Sequence, residues 1–318
     1  MKTRANHVVA LATAVLIGVL AAAPTQAGLV PEAKASIAPR SEVQSIGDGE
    51  VYIFTAPPRE DVQAGRRLYE PIADYLSRAT GKRFVYQHPG NWLTYQDWIW
   101  SDHGHVYFDG PHFVSFRLGQ MQHTLGPSLP QSLHWQVITR HDNAKIKDLK
   151  DLRGHTFCTH APPNFGTLYA QSLFTNPMRV FYPLNTKGWA NIYKRVVAGE
   201  CAGGVLPSTN LDKLDPQREQ VRVLHTGPSF PNQAFTISPR VPAVLVAQIN
   251  AALASPEGQL ASQRLRERFS GGRELVLGER HRYQGIDKLV TDFWNLVYAP
   301  VIQRHLEQHR TRLSMSAR

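Results

Sequence analysis

Residues 51–58, VYIFTAPP, begin an alternation that leaves few folds open to this chain. A short apolar strand stops at Pro57-Pro58. Leu68, Ile72, Tyr75, Leu76 and Ala79 then share one helical face, and Gly81 ends that helix. FVYQH (84–88) is a second strand, and Trp92, Tyr95, Trp98 and Ile99 give a second helical stripe. HVYFDG (105–110) is a third strand. Strand followed by helix, repeated, predicts a parallel sheet covered on both faces.

The same pattern continues downstream. HWQVITR (134–140) reads as a strand and IKDLKDLRG (146–154) as a short charged helix ended by glycine. HTFCT (155–159) is a strand and KGWANIYKRVVAGE (187–200) a helix. CAGGVLP (201–207), VRVLHTG (221–227) and FTIS (235–238) are further strands. Val241, Leu245, Ile249 and Leu253 then line one face of an amphipathic helix. There is no internal repeat and no low-complexity block.

Before this alternation lies a different kind of sequence. Lys2, Arg4 and His7 precede the apolar run Val8–Ala23, and Thr25 and Ala27 occupy the small-residue positions before a cut. We expect a signal peptide over 1–27, cleaved after Ala27, and a flexible Ala/Pro/Ser-rich leader over 28–47. The run is short for a membrane span. Formal net charge is +10, and removing Lys2 and Arg4 leaves about +8. A basic surface suits nucleic acid, membrane headgroups or anionic small molecules, and export argues against nucleic acid. The two cysteines, Cys158 and Cys201, are expected to pair in an oxidising compartment, because their strands would be neighbours.

Enzyme signatures are missing. There is no G-x-S-x-G elbow, Walker loop, G-x-G-x-x-G, HExxH or CxxC. We expect no enzyme and no cofactor. His103, His105, Tyr107 and Asp109 sit close in sequence, and the last three would share one strand face, which keeps a metal-binding alternative open. The position of Asp109 favours another reading. It closes a buried strand at the carboxyl edge, where open α/β sheets place ligands, and Gly110-Pro111 turns the next residues, including His112, toward the crevice. In THAPPNFGTLY (159–169), Asn164 is a good N-cap for a helix from Phe165. Gly166 permits close approach, and free amides beside Thr167 suit an anion.

LYEPIADYLSRATGKRF, HVYFDGPHFVSF, ITRHDNAKIKDLKDLRGHTFC, APPNFGT, VVAGECAGGV, NLDKL and FPNQAFTISP follow one another in this order. This order resembles the phosphate/phosphonate-type periplasmic solute-binding proteins of ABC transporters, over about residues 50–270. The resemblance implies a type II periplasmic-binding fold. Two α/β lobes, each a mostly parallel sheet flanked by helices, would enclose a ligand cleft. Lobe 1 would take 48–136 plus 237–318 and lobe 2 would take 137–236, with crossovers near Gln136–Thr139 and Asn232–Thr236. The implied ligand contacts are Thr55, Asp109, Gly110, His112, Asn164, Phe165, Gly166, Thr167 and Trp189. The implied function is delivery of a small oxyanion to a permease by a periplasmic monomer. A metal-ion carrier and a ligand-sensing partner of a histidine kinase are the alternatives. A carboxylate at Asp109 facing a dianion would repel it.

Overall fold

The computed structural model describes residues 50–174 and 180–296. Residues 1–47, expected to form the signal peptide and leader, lie outside the described residues, as does the basic RHLEQHRTR segment (304–312). The first sheet has the order β2-β1-β3-β10-β4 and is formed by β1 (Val51–Thr55), β2 (Arg83–Gln87), β3 (Val106–Asp109), β4 (Thr124–Ser128) and β10 (Ala234–Ile237). The second has the order β7-β6-β8-β5-β9 and is formed by β5 (Trp135–Arg140), β6 (Thr156–Thr159), β7 (Tyr182–Asn185), β8 (Gly203–Pro207) and β9 (Val221–Thr226). β1 runs parallel to β2 and β3, and β6 runs parallel to β7 and β8. One strand in each sheet runs against its neighbours: β10 between β3 and β4, and β5 between β8 and β9.

These two strands are where the chain changes lobes. It leaves the first sheet after β4, enters the second as β5, and returns after β9 as β10. The two connections lie side by side, with Leu133 and Phe230 exchanging backbone hydrogen bonds at 2.8 and 3.0 Å. The crossings therefore flank Leu133 and Phe230, earlier in the chain than Gln136–Thr139 and Asn232–Thr236. Trp135–Arg140 is a full strand of the second sheet, and Ala234–Ile237 a full strand of the first.

Helix α1 (Val62–Thr80) begins where Asp61 caps Ala64 N and ends at Gly81 in the left-handed region, where glycine is least strained. It packs on the first sheet with α7 (Ala243–Ala254), whose Leu245, Ile249 and Leu253 are buried as their spacing predicts, while Val241, also buried, precedes the helix. The second sheet carries α4 (Phe165–Ser172) and α5 (Trp189–Val197). The segment 146–154 forms a single 3-10 turn, Leu149–Leu152, rather than a helix. Cys158 on β6 and Cys201 just before β8 form the expected disulfide, with Cα atoms 5.7 Å apart.

A third apolar cluster joins the lobes. Tyr95 and Phe113 of the first lobe pack with Trp135, Phe157, Phe165 and Leu168 of the second, and with Leu289 and Val290 near the C-terminal end of the described chain. Those two belong to α10 (Lys288–Trp294), which packs on both α3 (Pro111–Gln120) and α4. This part of the C-terminal region therefore contacts both lobes. Among the described residues no helix is long and apolar enough to cross a membrane.

Candidate functional site

The segments that follow β3 and β6 meet at the seam between the lobes. The contact that defines the seam is His112 in the first turn of α3. Its Nε2 donates to the carbonyl oxygen of Pro163, 2.9 Å away on the second lobe. The ring also packs edge-on to Phe165 at 5.3 Å. Burial pushes the His112 pKa down to about 3, so the imidazole is neutral.

Asp109 is fully buried and already paired within the first lobe. Tyr95 Oη donates to its Oδ1 at 2.5 Å and Arg117 Nε to its Oδ2 at 2.9 Å. Arg117 Nη2 also donates to Tyr95 Oη at 2.8 Å, and its guanidinium lies 3.5 Å from the centre of the Tyr107 ring. Asp109 and Arg117 are both fully buried. A buried carboxylate must be paired, and Arg117 reaches it from two turns along α3. Burial pushes the Tyr95 phenol far above its usual range.

On the second lobe, the first amides of α4 are also bonded within the protein. Asn164 does cap α4, but its Oδ1 accepts from both Gly166 N and Thr167 N at 3.0 and 3.4 Å, so these amides are not free. Thr167 Oγ1 donates to His160 O at 2.7 Å and lies 2.6 Å from Thr159 Oγ1. The space beside Gly166 is filled by Trp135, with a Cβ placed there falling 2.3 Å from the indole. The glycine admits a side chain of this protein rather than a ligand. Thr55 Oγ1 donates to Gln87 O at 2.8 Å. Gly110 is the N-cap of α3 and lies against the His112 ring. Phe165 packs on Trp135 at 5.8 Å. Trp189 opens α5, half-buried, with its ring 5.4 Å from Trp135 and 4.3 Å from His160. The structure thus brings Gly110, His112, Phe165, Trp189 and the unforeseen His160 and Trp135 to the seam. Thr55, Asp109, Asn164, Gly166 and Thr167 hold the seam's shape through internal bonds and packing.

The histidines near β3 do not gather. His103 Nε2 lies 2.8 Å from Gln87 Oε1 and its ring stacks on Trp98, while His105 Nδ1 accepts from Ile53 N at 3.0 Å. Both precede β3, at the opposite end of the strand from Asp109. Among the described residues no three His, Cys, Asp or Glu side chains group as metal ligands would.

One cation was missed in the sequence. Arg59 follows Thr55 and the Pro57-Pro58 stop, on the loop leaving the carboxyl end of β1. Nη1 donates to Gln233 Oε1 on the returning crossover and Nη2 to Tyr69 Oη at 3.4 Å, and the guanidinium lies 4.7 Å from the Phe269 ring centre. Arg59 is exposed, and its remaining N–H groups have no partner among the described residues. Its charge acts on the His112 ring and so lies close to the seam. The signal was there: a cation four residues beyond a buried strand's carboxyl end.

Residues 54–274 match the family model described as ABC transporter, phosphonate, periplasmic substrate-binding protein. Among curated proteins none matches the chain in sequence. Similar solved structures include a Xanthomonas citri protein bound to ATP, at TM-score 0.61 and 13% identity over 78% of this chain and 100% of that one. PhnD1 of Prochlorococcus marinus in complex with methylphosphonate is similar at TM-score 0.56 and 12% identity, over 78% and 99%. The binding-protein component of a Pseudomonas aeruginosa ABC phosphonate transporter is similar at TM-score 0.53 and 14% identity, over 85% and 100%. Two mixed sheets flanked by helices, joined by two adjacent crossovers, form the type II periplasmic-binding fold, and the chain belongs to the family of phosphonate-type periplasmic substrate-binding proteins of ABC transporters.

Proposed function

We propose that this protein is exported by its N-terminal signal peptide and works in the periplasm as a monomeric receptor. It would hold a small phosphonate- or phosphate-like oxyanion between its lobes and deliver it to an ABC permease, with no catalytic step and no nucleic-acid partner. Arg59 carries this reading. Its guanidinium is held by Gln233 and Tyr69 beside the seam and keeps N–H groups with no partner among the described residues, and Arg suits a phosphonyl or phosphoryl group. Pairing of Asp109 with Arg117 removes the objection that a bare carboxylate would repel a dianion. The first-lobe contacts would be Arg59, Gly110 and His112, and the second-lobe contacts Trp189 and His160. Ligand touching both lobes would favour the arrangement in which His112 meets Pro163.

A thermal-shift titration with methylphosphonate, phosphate, sulfate and divalent metal ions tests this. An oxyanion at about 100 times its Kd should add about 2.7 kcal/mol of stability. Arg59→Met should abolish most of that gain while leaving the unliganded melt close to wild type. Stabilisation by metal ions and by no oxyanion would refute the reading.

A further inference from the structure

His112 is bonded on one side only. A carbonyl oxygen can only accept, so the contact with Pro163 O requires the hydrogen to be on Nε2. Nδ1 is then a bare lone pair, and it is buried with no partner among the described residues. The local sequence cannot supply one. The ring lies against Gly110, where a Cβ would fall 3.1 Å from Nδ1, and the next residue, Pro111, has no N–H. The groups around the ring do not titrate into the role either. From the second lobe it meets Pro163 and Phe165, and from the first it packs on Phe113 at 4.3 Å. The charge acting on it is that of Arg59, which disfavours a second ring proton. Asp109 and Arg117, just before and after it, satisfy each other. A buried acceptor without a hydrogen is costly, and one at a binding seam selects for a partner that brings a hydrogen.

We infer that His112 reads the protonation state of the ligand: Nδ1 accepts the hydrogen of a monoprotonated phosphonate or phosphate, so the monoanion binds in preference to the dianion and to sulfate. This rests on the oxyanion reading above and assigns His112 a role distinct from that of Arg59. Arg59 supplies charge to any oxyanion. His112 would meet an unprotonated oxygen lone pair to lone pair, which is rejection by an unfavourable contact.

Calorimetric titration of the mature protein with methylphosphonate, phosphate and sulfate, from about pH 5 to about pH 9, tests the inference. Methylphosphonate affinity should fall about tenfold per pH unit above that ligand's second pKa, since one proton must be carried in. The break should move to the second pKa of phosphate when phosphate is the ligand. Sulfate, unprotonated throughout, should bind at least about a hundredfold more weakly than methylphosphonate at low pH. His112→Phe keeps an aromatic ring of similar bulk and deletes the acceptor, so its affinity profile should flatten across the same range. A wild-type profile flat across the ligand's second pKa, or a break that stays put when the ligand is changed, would overturn the role of His112 and leave the oxyanion receptor standing. Failure of all three anions to bind at any pH would overturn both. Should His112→Phe fail to fold, the wild-type profiles with two ligands still decide.

Discussion

Asp109→Asn isolates the buried pair beneath the seam. Asp109 and Arg117 are both fully buried, with Nε 2.9 Å from Oδ2. For charge centres about 4 Å apart at an effective dielectric near 20, the attraction is about 4 kcal/mol. The amide keeps the shape and one acceptor but leaves Arg117 an uncompensated charge in the core. Burial pushes the Arg117 pKa down, while Tyr95, Asp109 and Tyr107 together hold it up, so the guanidinium remains charged. Removing one partner of such a pair costs about 3–5 kcal/mol. For a chain of this size that corresponds to a fall in Tm of roughly 6–20 °C. Scanning calorimetry of wild type, Asp109→Asn and the double variant Asp109→Leu, Arg117→Met checks it. The double variant should recover most of the loss, because an apolar pair of similar volume avoids the desolvation of two charges. If Asp109→Asn melted within about 1 °C of wild type and instead lost oxyanion affinity, the carboxylate would be a ligand acceptor and the pairing argument would fail.

Other consequences follow from the same packing. The Cys158–Cys201 bridge spans 43 residues, so on the loop-entropy model the double Cys→Ala variant should lose about 4 kcal/mol; two free thiols in denatured, unreduced protein would contradict the bridge. Gly166→Ala drives a methyl into Trp135 and should cost about 1–3 kcal/mol with a change in tryptophan emission, whereas an unchanged melt would mean that the indole is free to move. His112 has a folded pKa near 3, below its unfolded value, so the unfolded chain binds its proton first. Its contribution to stability is present above about pH 6.5 and should fall by about 1.4 kcal/mol per pH unit on acidification toward pH 3, a slope that urea melts of wild type and His112→Phe should show to be one proton steeper in wild type.

Local periodicity carried much of the fold. The stripe through Ile72 and Leu76, the one through Leu245 and Ile249, and the apolar strands between are one-dimensional patterns whose burial follows from 3.6- and 2-residue repeats. β4 escaped because Gly126-Pro127 reads as a turn, although Pro127 lies within Thr124–Ser128. The crossing strands β5 and β10 were legible as strands. Their reversed direction was not, because direction depends on which sheet a strand joins.

The site divides along the same line. From sequence alone, Asp109 stands at the end of a buried strand, Gly110-Pro111 turns the chain, Asn164 caps a helix and Cys158 can meet Cys201. These are statements about neighbours along the chain or in an inferred sheet, and the elements they name are there. Which polar group completes each bond was decided only when the elements packed. Arg117 and Tyr95 reach Asp109 from two different helices, Trp135 fills the place left by Gly166 from a strand thirty-one residues earlier, and Pro163 takes one nitrogen of His112 from the other lobe. A buried polar group is satisfied by whatever lies within about 3 Å of it, and that distance is set by tertiary packing rather than by position in the sequence.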